Sequence, residues 1–271
     1  MDLMDMWRLI YQEELPPDIG PARELLCAYS NLKECEVEPH LYAIRKQAWK
    51  ATRYPCIGRW RFLYLDPPTE PRYRAVLSRL TARRSTDVLL DLGCCVGQAL
   101  RQLSADGVPP DRLIGLDLDP SLIEIGFKLF RDRRKSPASF IVADILNADD
   151  KDLEMLDGRV SIVHASNFWH LFSWTQQLAI AVRLTKVFME GERRAMIYGR
   201  QVGIAKPETQ NRAGDSFLHN EASFQELWDQ VGALTGTRWM VEMEFVGERL
   251  AKIPGFGGES KAARYSVYRI L

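Results

Sequence analysis

One short segment constrains this chain more than any other: an apolar run, an acid and a turn that contains two glycines. The run Val88-Leu89-Leu90 is followed by Asp91-Leu92-Gly93-Cys94-Cys95-Val96-Gly97-Gln98. The run predicts a buried strand, the glycines predict a tight turn, and a helix is expected to begin at about Gln98. Backbone amides can approach a ligand closely at glycine, and a helix start adds partial positive charge. We therefore expect a small polar ligand at this strand-turn-helix segment.

The spacing of the turn indicates which ligand it suits. A dinucleotide loop has the pattern G-x-G-x-x-G, whereas here three residues separate Gly93 from Gly97 and Asp91 lies two positions before the first glycine. The carboxylate would repel a diphosphate and suits a ligand with an ammonium group better. The segment resembles the D-x-G-x-x-x-G loop of S-adenosylmethionine-dependent methyltransferases, which implies that cofactor. A plain tight turn or another nucleotide site is the alternative.

Two later acids also follow apolar runs that are typical of strands. Asp117 ends the second run and Asp144 ends the third. In folds of this kind the acid after the second strand binds the ribose hydroxyls, so we predict that Asp117 and the adjacent Leu118 contact the cofactor. Asp144 is placed to accept a hydrogen bond from the adenine amino group while Ile145 packs on the ring. A single acid here would more simply be a helix cap or turn former, but the recurrence favours ligand binding.

Strands and helices alternate from Tyr73 onward, which favours a parallel sheet with helices on both faces. A fourth strand is predicted at 160–165 and a fifth at 195–199, and a terminal antiparallel hairpin at 239–246 and 265–270 around the loop 254–258. We predict an α/β fold, with a Rossmann-like seven-stranded sheet of the class I methyltransferase type over residues 73–271.

Residues 1–72 are predicted to form an N-terminal helical extension that serves as a lid. Helix-like patterns occur around 3–14, 22–31 and 41–52, separated by Pro16-Pro17 and by Pro39. The aromatic and arginine-rich segment Tyr54–Leu63 follows them. Such an apolar lid suits a hydrophobic small molecule.

Composition excludes several partners. Lys plus Arg and Asp plus Glu both number 36, so charge gives no case for binding nucleic acid or an anionic membrane. No apolar stretch approaches the roughly 20 residues of a membrane span, and no signal peptide is visible at the N-terminus. The five cysteines lack metal-ligand spacing, so we predict no metal site and reduced thiols in a cytoplasmic protein.

Two segments carry a more specific resemblance. Tyr54–Leu63 and His170–Gln177, together with Asp106-Gly107 and Phe217–Asn220, resemble the fungal methyltransferases of meroterpenoid and terpenoid gene clusters, including the carboxyl O-methyltransferases of the austinol and terretonin type. The resemblance covers roughly residues 40–270. It implies formation of a methyl ester on a prenylated polyketide acid, a hydrophobic small molecule, in secondary-metabolite biosynthesis.

The substrate side is predicted from position in the sheet. Ligands of open α/β sheets bind beyond the C-terminal ends of the strands, so Asn167, Trp169 and His170 are expected to face the cofactor or the substrate. His170 could orient a substrate oxygen or remove a proton, and the alternative is a packed, hydrogen-bonded histidine. His219 and Asn220 are further substrate candidates, although Asn before an acidic stretch is also a common helix N-cap.

Arg61 could pair with the methionine carboxylate or with a substrate acid, but arginine is mostly a surface residue. The reaction itself requires little more than positioning. A carboxylate with a pKa of about 4 is ionised at neutral pH and needs no base, whereas a phenol would benefit from His170 as a base. A phenol or hydroxyl methyltransferase, a protein or RNA methyltransferase and a non-catalytic cofactor-binding subunit remain alternatives. The oligomeric state, a homodimer included, stays open.

Overall fold

The computed structural model describes residues 10–135, 137–147, 149–189, 191, 194–207, 216–249 and 260–270. Its strands form one seven-stranded sheet of order β3-β2-β1-β4-β5-β7-β6. They are β1 (Leu89–Leu92), β2 (Leu113–Asp117), β3 (Ser139–Val142), β4 (Ile162–His164), β5 (Met196–Ile204), β6 (Arg238–Arg249) and β7 (Ser260–Ile270). Strand β4 pairs in parallel with β1 and β5, and β2 with β3, whereas β7 is antiparallel to β5 and β6. The predicted seven-stranded α/β sheet is confirmed.

The helices in the described residues alternate with the first five strands. They are α1 (Gly20–Ser30), α2 (Glu34–Ala51), α3 (Pro55–Gly58), α4 (Pro71–Thr81), α5 (Gln98–Ala105), α6 (Pro120–Phe130), α7 (Lys151–Glu154), α8 (Trp174–Val187) and α9 (Glu221–Thr235). Short 3-10 turns cover Arg61–Leu63, Pro110–Arg112, Arg133–Lys135 and Trp169–Leu171. Among these helices none is both long and apolar enough to cross a membrane.

The chain divides into two compact units, one formed by residues 1–86 and 94–142 and the other by residues 87–93 and 143–271. In the first unit, the N-terminal helices share one apolar core with helix α6 and with Cys95 and Val96 of the glycine-containing turn. Leu26, Leu41 and Leu129 are almost completely buried there. The N-terminal helices are therefore part of a packed core and do not lie apart from it.

Helix α2 corrects one expectation. Pro39 was expected to separate two helices, but it lies inside α2, which begins five residues earlier at Glu34. A proline inside a helix removes one backbone hydrogen bond and crowds the preceding turn. Val37 and Leu41, one helical turn apart, are both fully buried in the first unit's core, and this burial offsets the cost of the proline.

The second unit has an aromatic core behind the later strands. The Trp169 indole packs edge-on against Phe224 and Trp228, with ring centroids 5.7 and 6.2 Å apart. Its Nε1 donates a hydrogen bond of 2.9 Å to the Tyr265 hydroxyl, which in turn donates to the Ala165 carbonyl oxygen at 2.5 Å. These bonds satisfy the polar atoms of two buried rings, as close packing requires.

The terminal hairpin is confirmed, and both of its strands are longer than the sequence pattern predicts. Strands β6 and β7 pair from Arg238 opposite Ile270 to Arg249 opposite Lys261. The loop at 254–258 lies outside the described residues, as does most of the helix predicted around 3–14. At the third strand the structure ends β3 at Val142, so Asp144 lies two residues beyond the strand.

Candidate functional site

The glycine-containing turn has the left-handed backbone that its sequence predicts. Gly93 and Gly97 have φ values of 72° and 64°, and Cys95 between them has φ 53°. The left-handed conformation costs a non-glycine residue about 1 kcal/mol or more. The Gly97 amide donates to the Cys94 carbonyl oxygen at 2.7 Å, and helix α5 begins at the next residue. The Cys95 amide is not used within the turn and donates to Asp117 instead.

Asp117, at the end of β2, holds this turn with one oxygen and its own following loop with the other. Its Oδ2 accepts from the Cys95 amide at 2.7 Å, and its Oδ1 accepts from the Asp119 amide at 2.9 Å. The adjacent Leu118 is 62% exposed, although it is a large apolar residue. The Asp117 carboxylate therefore lies between the glycine-containing turn and an exposed apolar side chain.

Tyr54, which the sequence interpretation gave no role, belongs to the same group of residues in the first unit. The pKa of its phenol is raised, mainly by burial and in addition by the negative charges of Asp117 and Asp119. The side chain is nevertheless 51% exposed. The N-terminal segment thus presents a neutral hydroxyl, a donor and an acceptor, to the neighbourhood of the Asp117 carboxylate.

In the second unit, Asp91 is paired with a histidine. His164 Nδ1 lies 2.7 Å from Asp91 Oδ1, and both side chains are buried. The two residues are register partners at the ends of β1 and β4. Sequence reasoning found Asp91 but missed His164. The available signal was a polar residue at the end of an otherwise apolar strand that pairs in parallel with the strand of Asp91.

The two glycines are required by side-chain packing as well as by φ. A Cβ built on Gly93 would lie 2.9 Å from Phe168 Cδ2. A Cβ on Gly97 would overlap the Arg101 guanidinium and come within 3.0 Å of Phe140. Larger residues at either position would therefore displace neighbouring side chains in addition to straining the backbone.

Asp144 and Ile145 lie together just past β3. Asp144 Oδ1 accepts from the Leu146 amide at 2.9 Å, a turn-forming bond typical of an acid in this position. Ile145 is buried. One carboxylate oxygen of Asp144 is engaged in this turn, and its contact with adenine stays a prediction.

The residues after β4 fall into an exposed and a buried group. Asn167 is exposed with φ 55°, and its amide donates to the Arg200 carbonyl oxygen at 2.5 Å. Trp169 is completely buried in the aromatic core, and its contact with a substrate stays a prediction. His170 is buried, and its Nδ1 accepts a long hydrogen bond of 3.5 Å from the Val202 amide.

His219 and Asn220 have local structural partners. Both ring nitrogens of His219 are hydrogen-bonded, Nδ1 with Ser223 Oγ at 3.0 Å and Nε2 with Gln177 Oε1 at 2.8 Å. Burial lowers the pKa of His219 to about 3, so the ring is neutral at pH 7. Asn220 is the N-cap of α9 and accepts from the Ser223 amide. This geometry gives both residues local roles in packing and capping, and their contacts with a substrate stay predictions.

Arg61 is exposed in the 3-10 turn Arg61–Leu63, and its contact with a carboxylate stays a prediction. The described residues contain no cluster of three or more His, Cys, Asp or Glu side chains that could hold a metal ion.

Comparison with known proteins agrees with this geometry. Residues 10–63 match the family described as "Meroterpenoid methyltransferase N-terminal domain", and residues 89–191 match the one described as "Methyltransferase domain". The chain is 34% identical over 262 residues to the O-methyltransferase phiE of a fungal species (strain ATCC 74256), which covers 91% of this chain and 86% of the relative. The chain belongs to the meroterpenoid methyltransferase family.

A second relative in this family is the asnovolin E/chermesin D methyltransferase nvfJ of Aspergillus novofumigatus, 35% identical over 241 residues that cover 88% of this chain and 85% of the relative. A solved structure of similar fold is the Haemonchus contortus phosphoethanolamine N-methyltransferase 2 with bound S-adenosylhomocysteine. It has a TM-score of 0.56 and 11% identity, covering 84% of this chain and 60% of that one. This meroterpenoid methyltransferase therefore has the class I methyltransferase fold and is an enzyme that uses S-adenosylmethionine.

The side chains described above fit that cofactor. Asp117 is a carboxylate at the end of β2, which suits a diol, and the exposed Leu118 beside it offers an apolar surface. Asp91 is a buried carboxylate whose Oδ1 is occupied by His164. Carboxylates suit an ammonium group and hydroxyls, and they disfavour a phosphate-bearing ligand.

Proposed function

We propose that this meroterpenoid methyltransferase forms a methyl ester on the carboxylate of a hydrophobic small molecule, of the prenylated polyketide acid class, in secondary-metabolite biosynthesis. The relative nvfJ is named for two small molecules, asnovolin E and chermesin D, which supports a small-molecule substrate. The fungal relatives at 34% and 35% identity support a place in secondary metabolism.

The observation that carries the choice of a carboxylate concerns the histidines. The chain has four, and each ring is hydrogen-bonded within its own unit: His40 to Leu129, His164 to Asp91, His170 to Val202, and His219 to Ser223 and Gln177. A phenol acceptor would need a base near neutral pH, whereas a carboxylate is already ionised. Of the two histidines predicted on the substrate side, His170 has its Nδ1 lone pair engaged and His219 has both ring nitrogens hydrogen-bonded, which supports an acceptor that needs no proton removed.

His170 illustrates the point. Its Nδ1 accepts from the Val202 amide, so in the neutral ring the proton resides on Nε2. An Nε2–H group donates a hydrogen bond and has no lone pair with which to remove a proton. We propose that His170 positions a substrate carboxylate oxygen by donating to it.

We assign the cofactor contacts as follows. Asp117 accepts from the ribose hydroxyls with Leu118 beside the adenine, Asp144 and Ile145 contact the adenine, and Asp91 accepts from the methionine ammonium. Gly93, Gly97 and Asn167 shape the surrounding backbone, and Arg61 pairs with a carboxylate. When bound, S-adenosylmethionine supplies an electrophilic methyl group on a sulfonium, and the chain's own task is to hold the nucleophile in line and exclude water.

The N-terminal extension, residues 1–72, is proposed to act as a lid for the core of residues 73–271. The half-exposed Tyr54 side chain near Asp117, and the shared apolar core of the N-terminal helices with Cys95 and Val96, support this role. The five cysteines lie in the described residues and none forms a disulfide there, which supports the proposed cytoplasmic location.

The test is one incubation of the full chain with S-adenosylmethionine and a farnesylated dihydroxybenzoic acid, which carries a carboxyl group and two phenols on one ring. We expect a singly methylated product that mild alkaline hydrolysis returns to the acid. An aryl ether that survives hydrolysis would overturn the proposal and favour a phenol acceptor. Absence of turnover together with tight cofactor binding would overturn the assignment of this acid as substrate, and methylation of added protein or RNA would favour a macromolecular substrate.

A further inference from the structure

Three residues form a row across neighbouring strands of the second unit. Asp91 on β1, His164 on β4 and Tyr198 on β5 are register partners. Register partners in a sheet project to the same face. The three side chains are buried, and the His164 and Tyr198 rings lie 4.9 Å apart. Packing thus restricts the rotation of the histidine, whose Nδ1 lies 2.7 Å from Asp91 Oδ1.

This contact determines where the Asp91 carboxylate points. A neutral His164 that donates its Nδ1–H to Oδ1 fixes the carboxylate plane and leaves the negative charge intact. Without the donor, a buried carboxylate would keep the desolvation cost and lose its orientation. The same logic applies to metal sites, where a partner one step removed orients the residue that touches the ligand.

We propose that His164 is a positioning residue for the cofactor: it orients the Asp91 carboxylate so that Oδ2 meets the methionine ammonium. The proposal rests on the assignment of Asp91 to the ammonium under the proposed function. His164 itself contacts neither cofactor nor substrate in this role. The expected signature is a defect confined to ligands that carry the ammonium group.

The experiment uses two ligands that differ in that group. S-adenosylhomocysteine carries the amino acid moiety, whereas 5′-methylthioadenosine has the same adenosine without it. Calorimetry on the full chain should show that His164→Leu weakens S-adenosylhomocysteine binding about ten- to a hundredfold, the size expected for a disturbed charge-assisted contact. Binding of 5′-methylthioadenosine should change less than about threefold, and so should kcat at saturating S-adenosylmethionine.

Conservative and unrelated substitutions complete the test. His164→Asn retains an N–H donor near the position of Nδ1 and should recover most of the affinity; it is also the variant to measure if His164→Leu does not fold. His40→Asn, which alters a histidine bound to the Leu129 carbonyl in the other unit, should leave both affinities unchanged.

The contrary results are distinct. If His164→Leu weakens both ligands equally, the residue is merely structural and the proposal fails. If kcat falls and its pH profile shifts while affinity is retained, His164 is a base and the proposal also fails. If Asp91→Asn binds S-adenosylhomocysteine like the wild type, the assignment of Asp91 fails first, and with it the basis for His164. If Asp91→Asn binds weakly but His164→Leu does not, only the positioning role fails.

Discussion

Replacing Asp117 by alanine separates ribose recognition from the holding of the turn. The wild-type carboxylate accepts from two backbone amides, those of Cys95 and Asp119, and we propose that it also accepts from the ribose hydroxyls. Hydrogen bonds to a charged group contribute about 1.5–3 kcal/mol. The loss corresponds to about a ten- to 150-fold increase in Kd for S-adenosylhomocysteine.

Stability should fall independently of binding. The Cys95 amide loses its charged acceptor while its residue remains at φ 53°. An unpaired amide of this kind costs about 1–3 kcal/mol, which for a chain of 271 residues corresponds to a decrease in Tm of about 2–5 °C. Thermal unfolding without ligand measures this term, and calorimetry well below the Tm measures binding.

Asp119 provides the matched control. Its Oδ1 accepts from the Ser121 amide at 2.8 Å as the N-cap of α6, so Asp119→Ala should cost about 1 kcal/mol of stability while leaving the ribose contact in place. The reasoning is refuted if Asp117→Ala binds S-adenosylhomocysteine within twofold of the wild type, or if Asp119→Ala weakens binding as much as Asp117→Ala.

Three further predictions concern buried polar groups. Burial lowers the pKa of His219 to about 3, so this histidine takes up a proton in the unfolded chain at a higher pH than in the folded one. The free energy of unfolding, measured in urea, should decrease by on the order of 1 kcal/mol per pH unit as the pH falls from about 6 to 4. An equal pH dependence in His219→Gln would contradict this. The fully buried Arg101 donates to Asp132 from Nε at 2.9 Å and from a terminal nitrogen at 3.1 Å, and Asp132→Ala removes this carboxylate. Urea unfolding should show that the free energy of unfolding decreases by about 3–5 kcal/mol. A decrease below about 1 kcal/mol would be inconsistent with a buried pair. The pKa of the Cys56 thiol is lowered chiefly by a hydrogen bond from Cys95, so iodoacetamide should modify Cys56 faster near pH 7.5 in the wild type than in Cys95→Ala, as peptide mass spectrometry can measure.

The sequence predicts the strands, apart from the full length of the terminal hairpin, and places an acid at or near the end of each of the first three. Asp91 and Asp117 were found because an apolar run followed by an acid and a glycine turn is a local pattern. Strand order is similarly constrained by alternating elements. These features depend on neighbours in the chain, so a linear reading can find them.

Features that depend on distant partners could not be found in this way. His164 gains its importance from Asp91, 73 residues away in the chain. Position after a strand predicts His219 and Trp169 as substrate residues, but it does not show that both rings pack against Phe224 in the aromatic core of the second unit. Pro39 by itself predicts a helix boundary, but it lies inside α2. The burial of Val37 and Leu41, which offsets the cost of the proline, depends on packing partners elsewhere in the chain.

Cys95 contacts two parts of the chain that are distant from each other in the sequence, Asp117 and the N-terminal helices. Its amide is held by Asp117, and its side chain, with Val96, packs against the N-terminal helices in the first unit's core. A strained residue persists only where its surroundings determine its conformation, and here one determinant is a carboxylate assigned to the ribose and the other is the N-terminal extension. Loosening the N-terminal packing should therefore weaken binding of the adenosine portion of the cofactor. This coupling would give the extension a role in cofactor binding that does not require it to move.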